Sequence, residues 1–195
     1  MAQPSTSGSD LRMSMPIWDI PPIPRRGDDS RDVVYEAVGR ALSYWENFEL
    51  ELACLYATFI GLRPPEATRH PDYAKARIFR ERADVIDRGG KGFFIKRSNQ
   101  ELEKRFDDLI CEARLAAARR NDIAHGVVNP IWSTASPGIE TFMLLPSTYR
   151  HKDFDIKARA RYAFSSKEIN GFASRFQEIQ QRVFILTEQI ILAMP

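Results

Sequence analysis

Cysteine and histidine are scarce in this chain: two cysteines, Cys54 and Cys111, and three histidines among 195 residues. No Cys/His spacing suits a metal site, and two cysteines are too few for a disulfide scaffold. No glycine-rich phosphate loop follows a strand, and no nucleophile elbow is present. Gly89, Gly90 and Gly92 only punctuate a segment that lacks the strand–helix setting of a phosphate cradle. No metal or cofactor is therefore expected. Long apolar runs are also missing. The longest apolar run without a charge, Leu52 to Leu62, is too short to span a bilayer. The chain does not open with basic residues followed by an apolar stretch, so no secretory leader is read. These absences point to the cytoplasm, with no membrane partner. Cys54 and Cys111 each lie in an apolar helical pattern and are expected to be buried free thiols.

What is present is an ordinary globular composition, 44% hydrophobic and 28% charged, with a net charge of +2. The distribution of charge is more informative than its sum. From Lys75 to Arg97 there are eight basic residues (Lys75, Arg77, Arg80, Arg82, Arg88, Lys91, Lys96 and Arg97) against three acids, Glu81, Asp84 and Asp87. Such a local excess attracts phosphate, although a solvated helix face has the same composition. Residues 1–28 carry Pro4, Pro16, Pro21, Pro22 and Pro24 with a Ser/Thr/Gly stretch, and read as a disordered tail. Within it, Ile17, Trp18 and Ile20 are apolar enough to strap onto the body.

Residues 29–195 read as one helical domain. The first helix is expected from Asp29 or Ser30 to about Ile60. Its apolar positions, Val34, Val38, Ala41, Trp45, Phe48, Leu52, Leu55 and Phe59, step by fours and threes, a seam that requires a long helical partner. Trp45 and Phe48 belong to this core set. A shorter helix is predicted over Asp72 to Asp87, broken by Arg88 to Gly92. Ser98 and Glu101 then form a capping box for a third helix with Leu102, Phe106, Leu109, Ala113 and Ala116 on one face. Gly126 is placed to end it as a C′ residue. Two short strands, Thr141–Leu145 and Arg159–Phe164, suggest a hairpin. Ser165 and Glu168 cap the last helix, whose seam is Ile169, Phe172, Phe176, Ile179, Val183, Leu186, Ile190 and Ala193. Matched seams predict that the first and last helices pack side by side. The expected class is all-α: an up-and-down helical bundle with long first, third and last helices and a small β-hairpin insertion before the last.

The segment Arg119-Arg120-Asn121-Asp122-Ile123-Ala124-His125-Gly126 stands out. Arg120 continues the stripe of Ala113 and Ala116, and a guanidinium on a core-facing stripe is costly unless something pairs with it. Asn121 and His125 are four apart and share a face if the helix reaches that far. A permanent cation, an amide and an imidazole that exchanges protons near neutrality thus converge on one turn. Basic residues before a glycine also serve as ordinary helix-stop chemistry. Arg63 and His70 have a related spacing, but Pro64 and Pro65 put them in a loop. His70 and His151 read as a turn and a loop residue.

Arg120-Asn121-Asp-Ile-Ala-His125, an arginine with a polar residue after it and a histidine beyond four intervening residues at the end of a long helix, resembles the motif of the HEPN superfamily. The resemblance implies an all-helical domain and, in many members, a metal-independent endoribonuclease active as a dimer, some of them toxins with an antitoxin partner. Arg120, Asn121 and His125 would be its catalytic residues. The stretch Ala113, Ala116, Ala117, Ala118 and Ala124 would let a symmetry mate approach closely, making a homodimer. Arg88, Lys91, Lys96, Arg97 and Arg119 are the candidate RNA-binding residues. Other members are non-catalytic interaction modules, and a nucleotide-binding regulator is a further alternative. A carboxylate such as Glu46, Glu49 or Asp122 burying Arg120 would favour a structural role. Joint exposure of Arg120 and His125 in a cleft would favour catalysis.

Overall fold

The computed structural model describes residues 17–132, 139–149, 153–155, 157 and 159–193. The chain is mostly helical, with one small two-stranded antiparallel sheet. Helix α1 (Arg31–Ile60) starts where the Ser30 hydroxyl accepts the Asp32 N–H, 3.2 Å away. It stops at Gly61, whose left-handed φ of 69° lets the Gly61 and Leu62 N–H groups return to the carbonyls of Thr58 and Ala57. Every position of the predicted seam is buried except Val38, which is half-buried.

Helix α6 (Ser166–Leu192) is the partner that this seam requires. Glu168 accepts the Ser165 N–H at 2.9 Å, and the Ser165 hydroxyl accepts the Lys167 N–H, completing the predicted cap. Phe164 and Ile169 are buried on either side of it. The α6 seam is buried from Ile169 to Ile190, and only Ala193 is exposed. The Phe176 ring lies edge-on to Trp45, with centroids 5.3 Å apart.

Between them the chain departs from expectation. No single helix starts at Asp72. Two short turns, α2 (Pro64–Ala67) and α3 (Pro71–Lys75), lead instead to α4 (Phe79–Lys96). Helix α4 runs straight through the glycines expected to break it. Gly90 lies against the Phe106 ring, where a Cβ would come within 2.3 Å, and Gly89 lies against the Tyr56 ring, where a Cβ would come within 2.9 Å, so close packing of the helix requires both. Helix α5 (Gln100–Ala124) is capped by Asn99, which accepts the Leu102 N–H at 3.2 Å, and not by Ser98. Leu102, Phe106, Leu109, Ala113 and Ala116 are buried as predicted.

Residue pairs fix the helix directions. Glu49 meets Arg82 and Phe59 meets Phe93, so α1 and α4 run the same way. Phe59 meets Phe106 and Glu46 meets Arg120, so α5 runs against α1. Arg105 bonds Gln189 and Glu112 bonds Arg182, so α6 runs against α5. Alternation holds from α4 onward, whereas α2 and α3 carry the chain back between α1 and α4.

The hairpin also differs. Strand β1 (Gly126–Trp132) follows α5 directly and pairs with β2 (Glu140–Pro146), Gly126 opposite Pro146 and Trp132 opposite Glu140. Arg159–Phe164 is not a strand: Ala160 bridges Phe154, and Phe164 bridges Leu144. Gly126 is not a left-handed stop either. It begins β1, where a Cβ would strike Leu144 at 2.6 Å.

The proline-rich start is attached to the body from Ile17 onward. Trp18 is buried, stacks on Phe176 at 5.6 Å and donates to Glu112 at 3.0 Å. Asp28 pairs with Phe142 through backbone bonds and accepts the Ser166 N–H at the start of α6. Residues 1–16 and His151 lie outside the described residues. Both cysteines are free, but Cys54 is half-buried and Cys111 is exposed, because Cys111 falls off the α5 stripe. Among the described residues no helix is long and apolar enough to cross a membrane.

Candidate functional site

The last turn of α5 lies against the middle of α1 and the start of α4. Trp45, fully buried, is the floor, wedged between Phe48, Phe79 and Phe176. Arg120 lies over it, its Cζ 5.9 Å from the Trp45 ring centroid, within cation–π range. Two groups hold the guanidinium in place. Nη1 donates to Asn121 Oδ1 at 3.2 Å, and Nη2 is 3.6 Å from Glu46 Oε1. The Arg120 side chain keeps 27% of its surface exposed and that of Glu46 keeps 68%. Of the two other carboxylates considered for Arg120, Glu49 pairs with Arg82 at 2.5 Å and Asp122 with Arg119 at 3.1 Å.

Helix α5 ends at Ala124, and His125 is its C-terminal cap. The His125 N–H still reaches the Asn121 carbonyl at 3.1 Å, so the four-residue spacing survives. Arg120, Asn121 and His125 all line one open cavity of about 870 Å³. Arg77, Arg80, Arg82 and Arg114 line it too, with Ile78, Phe79, Ala117 and Ala118. Five arginines and no carboxylate thus face this space among the described residues. The acids that neutralise some of them sit behind: Glu49 for Arg82, Asp84 at 2.9 Å and Asp87 at 3.6 Å for Arg114.

The predicted RNA-binding residues are not gathered here. Arg88, Lys96 and Arg97 line a second, smaller depression beside Thr58–Gly61, at the opposite end of α4, and Lys91 is paired with Asp87 at 3.0 Å. Arg119 is largely buried against Asp122. Arg77, Arg80, Arg82 and Arg114 were not singled out as site residues. The first three belong to the basic stretch from Lys75, and their only sequence signal is their position around the start of a helix. Of the alanines, Ala113, Ala116 and Ala117 are buried inside the chain's own bundle.

No family model matches the chain, and no curated protein or solved structure is found to be similar to it.

Proposed function

We propose that this chain is a metal-independent endoribonuclease of HEPN type, with a HEPN-like helical bundle as its topology. The observation that carries the reading is that Arg120, Asn121 and His125 together line one open, arginine-rich cleft. In the proposed reaction the ribose 2′-OH attacks the adjacent phosphorus as a base removes its proton. The 5′-oxygen leaves and takes a proton from an acid, giving a 2′,3′-cyclic phosphate and a free 5′-OH. His125 is the acid–base group. Arg120 stabilises the charge on the pentacoordinate phosphorus, and Asn121 orients Arg120 or holds a phosphate oxygen. One imidazole serves only one of the two proton transfers, so we propose a symmetric homodimer that brings a second His125 to the same substrate. An antitoxin partner and a cytoplasmic location belong to the same proposal.

The test is cleavage of RNA in excess EDTA. Cleavage should persist, leave a 2′,3′-cyclic phosphate end, and slow by about 10² to 10⁴ in His125→Ala. Activity that EDTA abolishes, or that His125→Ala leaves intact, overturns the proposal. The contacts of Arg120 with Glu46 and Trp45 favour a second reading, a non-catalytic HEPN-like interaction or nucleotide-binding module in which Arg120 is an ordering residue. That reading predicts no cleavage at any protein concentration.

A further inference from the structure

We infer that Arg77 and Arg80, at the start of α4, form a phosphate-tracking subsite that leads a single-stranded RNA to Arg120 and His125. This inference rests on the reading of the cleft as an RNA site. The five arginines of the cleft are not equivalent. Arg82, Arg114 and Arg120 each have a carboxylate within 4 Å. Arg77 and Arg80 are exposed and, among the described residues, have none. At the α4 N-terminus the Glu81 carboxylate turns back to accept the N–H groups of Arg77 at 2.7 Å and Ile78 at 3.4 Å, so a negative group already sits beside the positive end of the helix. The helix end therefore offers little to an anion, and the two free guanidinium groups supply the attraction. Ile78 lies between them, 55% exposed, and gives a base an apolar surface within a cationic wall. A single strand fits this chemistry better than a duplex. A-form RNA stacks its bases inward and does not present the 2′-OH in line with the departing 5′-oxygen, whereas an unstacked strand exposes its bases and reaches the in-line arrangement.

The experiment measures binding of a short 2′-O-methyl single-stranded RNA, which keeps the phosphates but lacks the nucleophile, to the whole chain. Each phosphate contact to a single strand contributes about 0.7 to the slope of log affinity against log salt. Arg77→Ala/Arg80→Ala should therefore lower the slope by about 1.4 and weaken binding about tenfold near 0.15 M salt. Both residues are exposed, so folding should not change. A slope unchanged by the pair overturns the inference. A larger loss from Lys96→Ala/Arg97→Ala, tighter binding of a duplex, or equal binding of an acidic peptide also overturns it. Cleavage of ordinary RNA is read separately. Binding with the expected slope loss but no cleavage keeps the subsite and defeats the nuclease. Cleavage by wild type with no effect of Arg77 and Arg80 does the reverse.

Discussion

Two glycines two residues apart on α4 should respond to alanine with opposite signs. Gly90 lies against Phe106. A Cβ there would come within 2.3 Å of Cε1 and 2.5 Å of Cζ, and Phe106 is fully buried against Phe59 at 4.9 Å. The ring has no free direction, so Gly90→Ala forces overpacking that costs about 1–3 kcal/mol. The gain in helix propensity offsets about 1 kcal/mol of that. The net loss is up to about 2 kcal/mol, a fall in Tm of up to about 4–8 °C for a chain of this size. Gly92 has nothing within 4 Å of its Cβ position, so the propensity gain stands alone and Tm should rise by about 2–3 °C. Thermal unfolding followed by circular dichroism checks both. A rise in Tm for Gly90→Ala would refute the packing argument, and a fall for Gly92→Ala would refute the helix.

Asp28→Ala should cost about 1–2 kcal/mol, read from the urea midpoint, because Asp28 accepts both the N–H and the hydroxyl of Ser166, at 2.7 and 2.6 Å, at the positive end of α6. Burial beside Tyr56 pushes the Tyr73 phenol from its ordinary 10.0 up to about 12. Its folded form holds its proton longer than its unfolded form, so this contribution is complete below about pH 10 and is lost as pH rises from 10 through 12. Tyr73→Phe should flatten the fall in Tm over that window, while Tyr56, raised in the same direction by burial, retains part of it.

The long seams were legible because a 3.5-residue apolar period survives any tertiary context. Trp45, Phe48, Phe172 and Phe176 needed no partner information to be placed in the core. The α4 glycines were misread because their helical role depends on rings at Tyr56 and Phe106, each more than a dozen residues away. Strand β1 was not legible because Asn129 and Pro130 interrupt its apolar pattern, and its extended form comes from pairing with β2. The Arg120, Asn121 and His125 set could be read as one helical turn. The arginines facing it could not, since Arg77 and Arg80 reach the cleft only because α4 packs antiparallel to α5. A basic stretch in sequence says that cations are near one another along the chain, not which end of the helix meets the site.

Neighbouring arginines show how the magnitudes separate structural from available cations. Arg119 and Asp122 are 3.1 Å apart with side chains 13% and 9% exposed, and removing one partner of such a pair leaves a buried charge at a cost of about 3–5 kcal/mol. Arg120 is held far more weakly. Its pair with a largely exposed Glu46 at 3.6 Å gives at most about 0.5 kcal/mol, and the Trp45 face about 0.5–1 kcal/mol. Against this, its Nε is buried without a hydrogen-bond partner, which costs about 1–3 kcal/mol. The Asn121 hydrogen bond contributes about 0.5–1.5 kcal/mol more, so the terms roughly cancel and Arg120 adds little to the fold. A guanidinium oriented by Trp45, Asn121 and Glu46 at little net gain is free to exchange its weak carboxylate contact for a phosphate. That exchange would also bring Arg120 the stronger, charge-assisted contacts that it lacks in the free chain. The same reasoning ranks the cleft. Arg82 and Arg114 are tied to acids, whereas Arg77 and Arg80 are untied and Arg120 only loosely held, so a polyanion would meet these three first.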